Sequence, residues 1–155
     1  AMKILMIVVL VLVALIALNI LTIIVQNNRA PELGHDNGKL KPLSKKPNAV
    51  STQADDEERR VRPWPFKADQ AATRAAILEA VKAYGGAEVI TEQDDYIYVV
   101  FTTAKMHFHD DVEFYLDSEA QQVHFRSASR AGYSDMGLNR QRYEQLTELY
   151  TQAEV

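Results

Sequence analysis

The polar chemistry of this chain is concentrated in one stretch. It reads Arg126-Ser127-Ala128-Ser129-Arg130-Ala131-Gly132-Tyr133-Ser134-Asp135-Met136-Gly137-Leu138-Asn139-Arg140-Gln141-Arg142. Four arginines stand there against one acid, Asp135, inside a region, residues 63–155, that carries 8 Lys/Arg and 15 Asp/Glu. Guanidinium forks, small hydroxyls, a glycine-bearing turn and the free N–H groups of a following helix are what a phosphate or carboxylate site uses. Arg126, Arg130, Ser127 and Ser129 are the candidate anion ligands. With Tyr133, Ser134, Asp135, Asn139 and Arg140, and with Asp111 and Glu113 on the preceding strand, they form the candidate ligand- or partner-binding set. The same residues also suit a purely structural role. Arg126 or Arg130 can pair across a sheet with Asp110, Asp111 or Glu113, while Asp135 and Asn139 cap a helix and Gly132 and Gly137 supply positive φ.

Other constellations are weaker. His107-x-His109-x-Asp111 is a ligand spacing compatible with zinc on one strand face, but strand-edge histidines are ordinarily just solvated, so no metal is assigned. Gly132-Tyr133-Ser134-Asp135-Met136-Gly137 misses a nucleophile elbow, because its second glycine is one residue too far on and no parallel sheet surrounds it. Asp110 and Asp111 are adjacent on a strand and point to opposite faces, which excludes a close carboxylate dyad. Tyr96, Tyr98, Tyr115 and Tyr133 read as sheet packing before they read as a pocket. There is no Walker loop, dinucleotide fingerprint or His-Glu-x-x-His. No catalytic residue and no cofactor are assigned. The absence of cysteine removes disulfides, thiol nucleophiles and thiolate metal sites, and a net charge of −4 argues against nucleic acid.

The elements that must position these residues follow from the hydrophobic pattern. Ile4 to Val25 is 22 residues without a charge, about 33 Å as a helix against a hydrocarbon core of about 30 Å. A cleaved signal has an apolar core of roughly 7–15 residues and a small-residue cleavage site. The longer run here, followed by Gln26-Asn27-Asn28-Arg29, predicts an uncleaved transmembrane signal anchor over residues 1–25. Lys3 and the short N-terminal tail favour a cytoplasmic N-terminus. Residues 26–62, rich in Pro, Gly, Lys and Asn, read as a linker. The domain proper is expected over 63–155. Asp69 caps a helix from Gln70 to Tyr84 that Gly85-Gly86 ends. Ala87–Glu92, Tyr96–Thr103, Asp111–Leu116 and Gln122–Ala128 alternate as consecutive antiparallel strands. A last helix covers Asn139 to Ala153. The expected fold is α+β, in the order helix, four strands, helix, with both helices on one sheet face and the other face wet or functional.

Asp110-Asp111-Val112-Glu113-Phe114, followed at the right separation by Arg126 to Arg140, resembles the signature of the family catalogued as domain of unknown function 1499. A weaker similarity lies at Pro47-Asn48-Ala49-Val50-Ser51-Thr52, where the family's two cysteines fall on Leu43 and Ala49. The resemblance covers roughly residues 43–150. It implies a small, often exported or membrane-tethered domain, with no known activity, and it suggests that residues 43–53 pack on the domain.

The resulting expectation is a single-pass protein of a bacterial inner membrane with its C-terminal domain in the periplasm. It would act as a non-enzymatic accessory subunit that docks to another envelope or membrane protein through the Arg126–Arg142 turn. The alternative is a domain that binds a small anionic ligand at that turn, and the third is an enzyme of unspecified reaction.

Overall fold

The computed structural model describes residues Ala1–Val155. The chain begins with α1 (Met2–Asn28), whose best window has a mean hydropathy of 3.3 and none of whose residues is buried. This helix is long and apolar enough for a single-pass membrane anchor. A hairpin of β1 (His35–Asp36) and β2 (Lys39–Leu40) follows, then β3 (Ala49–Ser51) and β4 (Trp64–Pro65). The expected core of the domain comes next: α2 (Gln70–Tyr84), β5 (Ala87–Glu92), β6 (Tyr96–Thr102), β7 (His109–Asp117), β8 (Gln122–Ser129) and α3 (Leu138–Gln152).

The predicted elements form for the predicted local reasons. Asp69 accepts from Ala72 N at 2.8 Å and starts α2, and Gly85, at φ 83, ends it. β5 to β8 pair in sequence as an antiparallel meander. Period-2 alternation sends Ile97, Val99, Phe101, Val112, Phe114, Leu116, Val123 and Phe125 to one face. There they meet Ile77, Ala80 and Val81 of α2 and Leu146 and Tyr150 of α3 in one continuous core. Trp64 closes this core. Its ring stacks on Tyr150 with centroids 4.6 Å apart, and its Nε1 donates to Thr147 Oγ1 at 2.8 Å.

Within the stretch expected as a linker, residues 49–51 pack on the domain as the family resemblance suggested for 43–53, and the rest departs from the linker expectation. Residues 35–65 contribute four short strands, and two of them enlarge the meander to a six-stranded sheet. β3 pairs with β8 at Ala49↔Ala128 to Ser51↔Arg126, and β4 pairs with the other half of the same strand at Trp64↔Val123. Thr52 bridges the two, since its N–H donates to Phe125 O and its Oγ1 accepts from Phe125 N. The outer edge of β8 is thereby covered, which removes a row of unpaired backbone groups. Average composition hides these strands because they and the turns between them contribute few apolar anchors. Leu40, Val50, Val61 and Trp64 are all buried.

The second sheet face is not wet. The β1–β2 hairpin turns at Asn37-Gly38 with φ 48 and φ 83, the two left-handed positions of a type I′ turn. A side chain at Gly38 would stand 2.9 Å from the Tyr115 ring, so the hairpin lies directly on the sheet. Leu40 packs there with Tyr96, Tyr98 and Val100. Gln53 fixes the hairpin by donating to Gly38 O at 2.7 Å and accepting from Leu40 N at 2.8 Å.

Candidate functional site

Strand alternation divides the polar residues of the signature between the two sheet faces. On the helix side, the Arg142 Nη2 donates to Asp110 Oδ2 at 2.6 Å and its Nη1 to Asn139 Oδ1 at 3.0 Å. Asn139 is fully buried. It accepts from Ser127 Oγ at 2.5 Å, and its Nδ2 lies 2.7–3.0 Å from Asp135 Oδ2, Ser129 Oγ and Asn48 O. Asp135 also accepts from the N–H groups of Gly137 and Asn139 and so caps the first turn of α3. The Arg142 guanidinium sits 5.0 Å from the Phe101 ring centre and 5.8 Å from that of Tyr84. This knot ties β8, β7, α3 and the residue before β3 together.

The hairpin side carries a second network. Arg130 grips Asp111 through Nε and Nη2 at 2.8–3.1 Å, and both touch the Tyr98 hydroxyl, which donates to Asp111 at 2.5 Å. Arg126 reaches Glu113 at 3.3 Å through Nη1 and Lys41 O at 3.0 Å through Nε. The Tyr96 hydroxyl and Gly34 N–H donate to the other Glu113 oxygen, at 2.7 and 3.2 Å. The Asp111 carboxylate raises the Arg130 pKa, and burial together with that carboxylate pushes the Tyr98 hydroxyl up to about 12.

Neither guanidinium is used up. Arg126 Nη2 and Arg130 Nη1 make no hydrogen bond within the protein. Both residues line a cleft of about 190 Å³ together with Arg29, Ser44, Asn48 and Ser129. Arg29 follows the last residue of α1 and has no carboxylate partner. Three arginines therefore line this cleft, with Asp111 and, behind Arg126, Glu113 as the carboxylates paired with two of them. The shape suits an oxyanion, which accepts from planar forks.

Glu113 adds a pH dependence to the same face. Burial pushes its carboxyl above the ordinary value of 4.5, against the opposing pull of the Tyr96 hydroxyl, the Arg126 guanidinium and the Gly34 N–H. The native state thus holds this proton more tightly than the unfolded chain does. The associated stability is complete below 4.5 and is lost as pH rises through the raised native value. Glu113→Gln cannot titrate, so its stability relative to wild type should improve as pH rises. Urea midpoints of both chains at pH about 4 and about 7 check this, and a difference that stays constant with pH would refute it.

Residues 39–149 match the model of a family described as Protein of unknown function (DUF1499). The chain belongs to this family. No curated protein and no solved structure matches the chain. The DUF1499 match runs from β2 into α3 and takes in every side chain of both networks, whereas Asn27, Arg29 and the Gly34 N–H lie outside it.

Within the DUF1499 region the candidate residues separate clearly. Arg126, Ser129, Arg130 and Asp111 line the cleft, with Glu113 directly behind Arg126, although the Ser129 hydroxyl itself accepts from Asn139 of the knot. Ser127, Asn139 and Asp135 are absorbed into the knot under α3, on the other face. Tyr133 is exposed, Ser134 Oγ accepts from Met136 N at 3.2 Å, and Arg140 donates to Glu58 O. His107, His109 and Asp111 do not form a three-ligand group. His107 sits in the turn before β7, His109 Nδ1 pairs with Thr102 Oγ1 at 2.9 Å, and Asp111 is held by Arg130. Sequence reasoning missed Asn48, Tyr96 and Tyr98 as members of these networks and Arg29 as a residue of the cleft. The tyrosines were legible in principle, because a meander register that puts Tyr98 opposite Glu113 also places it next to Asp111.

Proposed function

We propose that this chain is a membrane-anchored, extracytoplasmic accessory domain that binds a small anionic group, a phosphate or carboxylate, at Arg29, Arg126 and Arg130. The observation that carries this reading is the unpaired donor capacity of three arginines lining one cleft, one of them without any carboxylate partner. Asp111, Tyr98, Glu113 and Lys41 O hold Arg126 and Arg130 in place, so little side-chain freedom is lost when an anion arrives. Lys3 ahead of the apolar run supports a cytoplasmic N-terminus and hence a periplasmic domain. No group in the cleft is assigned a catalytic role.

The test is thermal unfolding of the full chain in detergent micelles, titrated with inorganic phosphate, citrate and glycerol phosphate. Binding raises Tm by mass action, and the rise shrinks with added salt. Arg29→Ala breaks no ion pair, so it should leave the ligand-free Tm unchanged. Its affinity should fall about tenfold, the loss of one charge-assisted hydrogen bond. No shift with any of the three anions would overturn the reading. Docking to a second envelope protein through the same turn is the competing reading, favoured by the exposure of Tyr133 and Met136. It predicts a stoichiometric partner on purification from native membranes, lost on Tyr133→Ala.

A further inference from the structure

We propose that the end of the domain next to α1 is seated on the lipid bilayer, with the turns at residues 103–108 and 130–137 in the headgroup layer and Met106, Tyr133 and Met136 against lipid.

The first support is the way α1 is attached. The Asn27 side chain uses both ends of its amide on one turn, with Nδ2 donating to His107 O at 2.9 Å and Oδ1 accepting from His109 N at 2.8 Å. This two-bond fork joins the last turn of the helix to the turn before β7. The neighbouring turn is tied to the same spot, since Arg130 N donates to His109 O at 3.1 Å. Arg130 also shares a surface recess with Gln26 and Arg29. Both turns therefore lie beside the end of α1, at the sheet end where β6 finishes, β7 begins and β8 finishes.

The second support is the level of that junction. The apolar run ends at Val25, two residues before Asn27, or about 3 Å along the axis. A run of about 33 Å fills a core of about 30 Å, which brings Asn27 to the headgroups. None of α1 is buried in the domain, so its sides are left to lipid.

The third support is where the exposed apolar groups fall. Outside α1, the three most exposed large apolar residues are Met136 at 97%, Tyr133 at 71% and Met106 at 68%. All three lie on these two turns. The turns at the opposite end of the sheet carry Asp94-Asp95 and Asp117-Ser118-Glu119 instead. Flexible thioethers and an amphipathic phenol suit the interface of a bilayer, where one end of a side chain is apolar and the other wet. Lys105, exposed beside Met106, adds a charge that anionic headgroups attract. The anion cleft then opens at headgroup level, but the seating does not depend on the cleft binding anything.

The chain has no cysteine, which permits single labelling sites. Met106→Cys, Met136→Cys and, as a far-end control, Ser118→Cys would each carry the same environment-sensitive fluorophore. The full chain is placed in nanodiscs of phosphatidylcholine and phosphatidylglycerol, with and without a lipid bearing a nitroxide on its headgroup. Quenching at 106 and 136 should exceed that at 118 severalfold, and Asn27→Ala should lower it at both. Low, equal quenching at all three sites would overturn the proposal. Because this readout is lipid contact and not anion affinity, its failure leaves the thermal-shift result intact, and the reverse also holds.

Discussion

Arg142→Met is expected to cost about 3–5 kcal/mol of folding stability, far more than loss of a surface charge. The Arg142 and Asp110 side chains are 2% and 1% exposed, and they meet at 2.6 Å. Removing the guanidinium leaves a carboxylate inside the helix-covered core without its counter-charge, and it also takes a donor from Asn139. The cost is dominated by that stranded charge and not by the worth of the pair. Replacing both partners, as in Asp110→Leu with Arg142→Met, should therefore recover much of the loss. The comparison is Arg74→Ala, which breaks an ion pair whose Asp94 is 94% exposed and which should change stability by less than about 1 kcal/mol. The single tryptophan, Trp64, lies in the core and reports unfolding in urea directly. A loss for Arg142→Met no larger than that for Arg74→Ala would show that the pair is not buried in solution.

A fragment of residues 63–155 should fail to fold cooperatively, whereas 26–155 should fold. The shorter fragment contains both long helices of the domain and the whole β5–β8 meander, so composition alone would call it complete. It lacks Leu40, Val50 and Val61, all of them buried. Each is worth about 1.5–3 kcal/mol of burial, and together they amount to roughly 5–9 kcal/mol. That is comparable with the whole stability of a domain, about 5–15 kcal/mol. The truncation also opens the edge of β8 at Ser127 and uncovers Tyr96, Tyr98 and Glu113. Circular dichroism melting and amide chemical-shift dispersion of the two fragments decide the matter. A sharp melt from 63–155 would mean that the residues before Pro63 only decorate a domain that stands without them.

These two outcomes bear on the same division, between what is encoded locally and what is encoded across the chain. α2 was legible to the residue, because Asp69 and Gly85 act on groups three or four positions away and the apolar period needs no partner. The meander was legible because consecutive strands of five or more residues, separated by short turns, pair with their neighbours. The hairpin carried a signal that composition masked, the Asn37-Gly38 pair, whose φ values fit a type I′ turn. β3 had no such signal. Its three residues become a strand only because β8, nearly 80 positions later, supplies the ladder.

For the candidate site, the sequence by itself determined the cast. It supplied a membrane-length apolar helix, an arginine-rich turn after an acidic strand, and the residue types able to hold an anion or to cancel one another's charge. Only the tertiary structure decided the pairing. Arg126 took Glu113, Arg130 took Asp111 and Arg142 took Asp110, while Arg29 was left with none. The reason is that partner choice depends on which sheet face each side chain occupies and on what covers that face. Both depend on contacts far apart in the chain: a hairpin folded over β6 and β7, a helix closing the opposite side, and one asparagine that fastens α1 to the turn before β7.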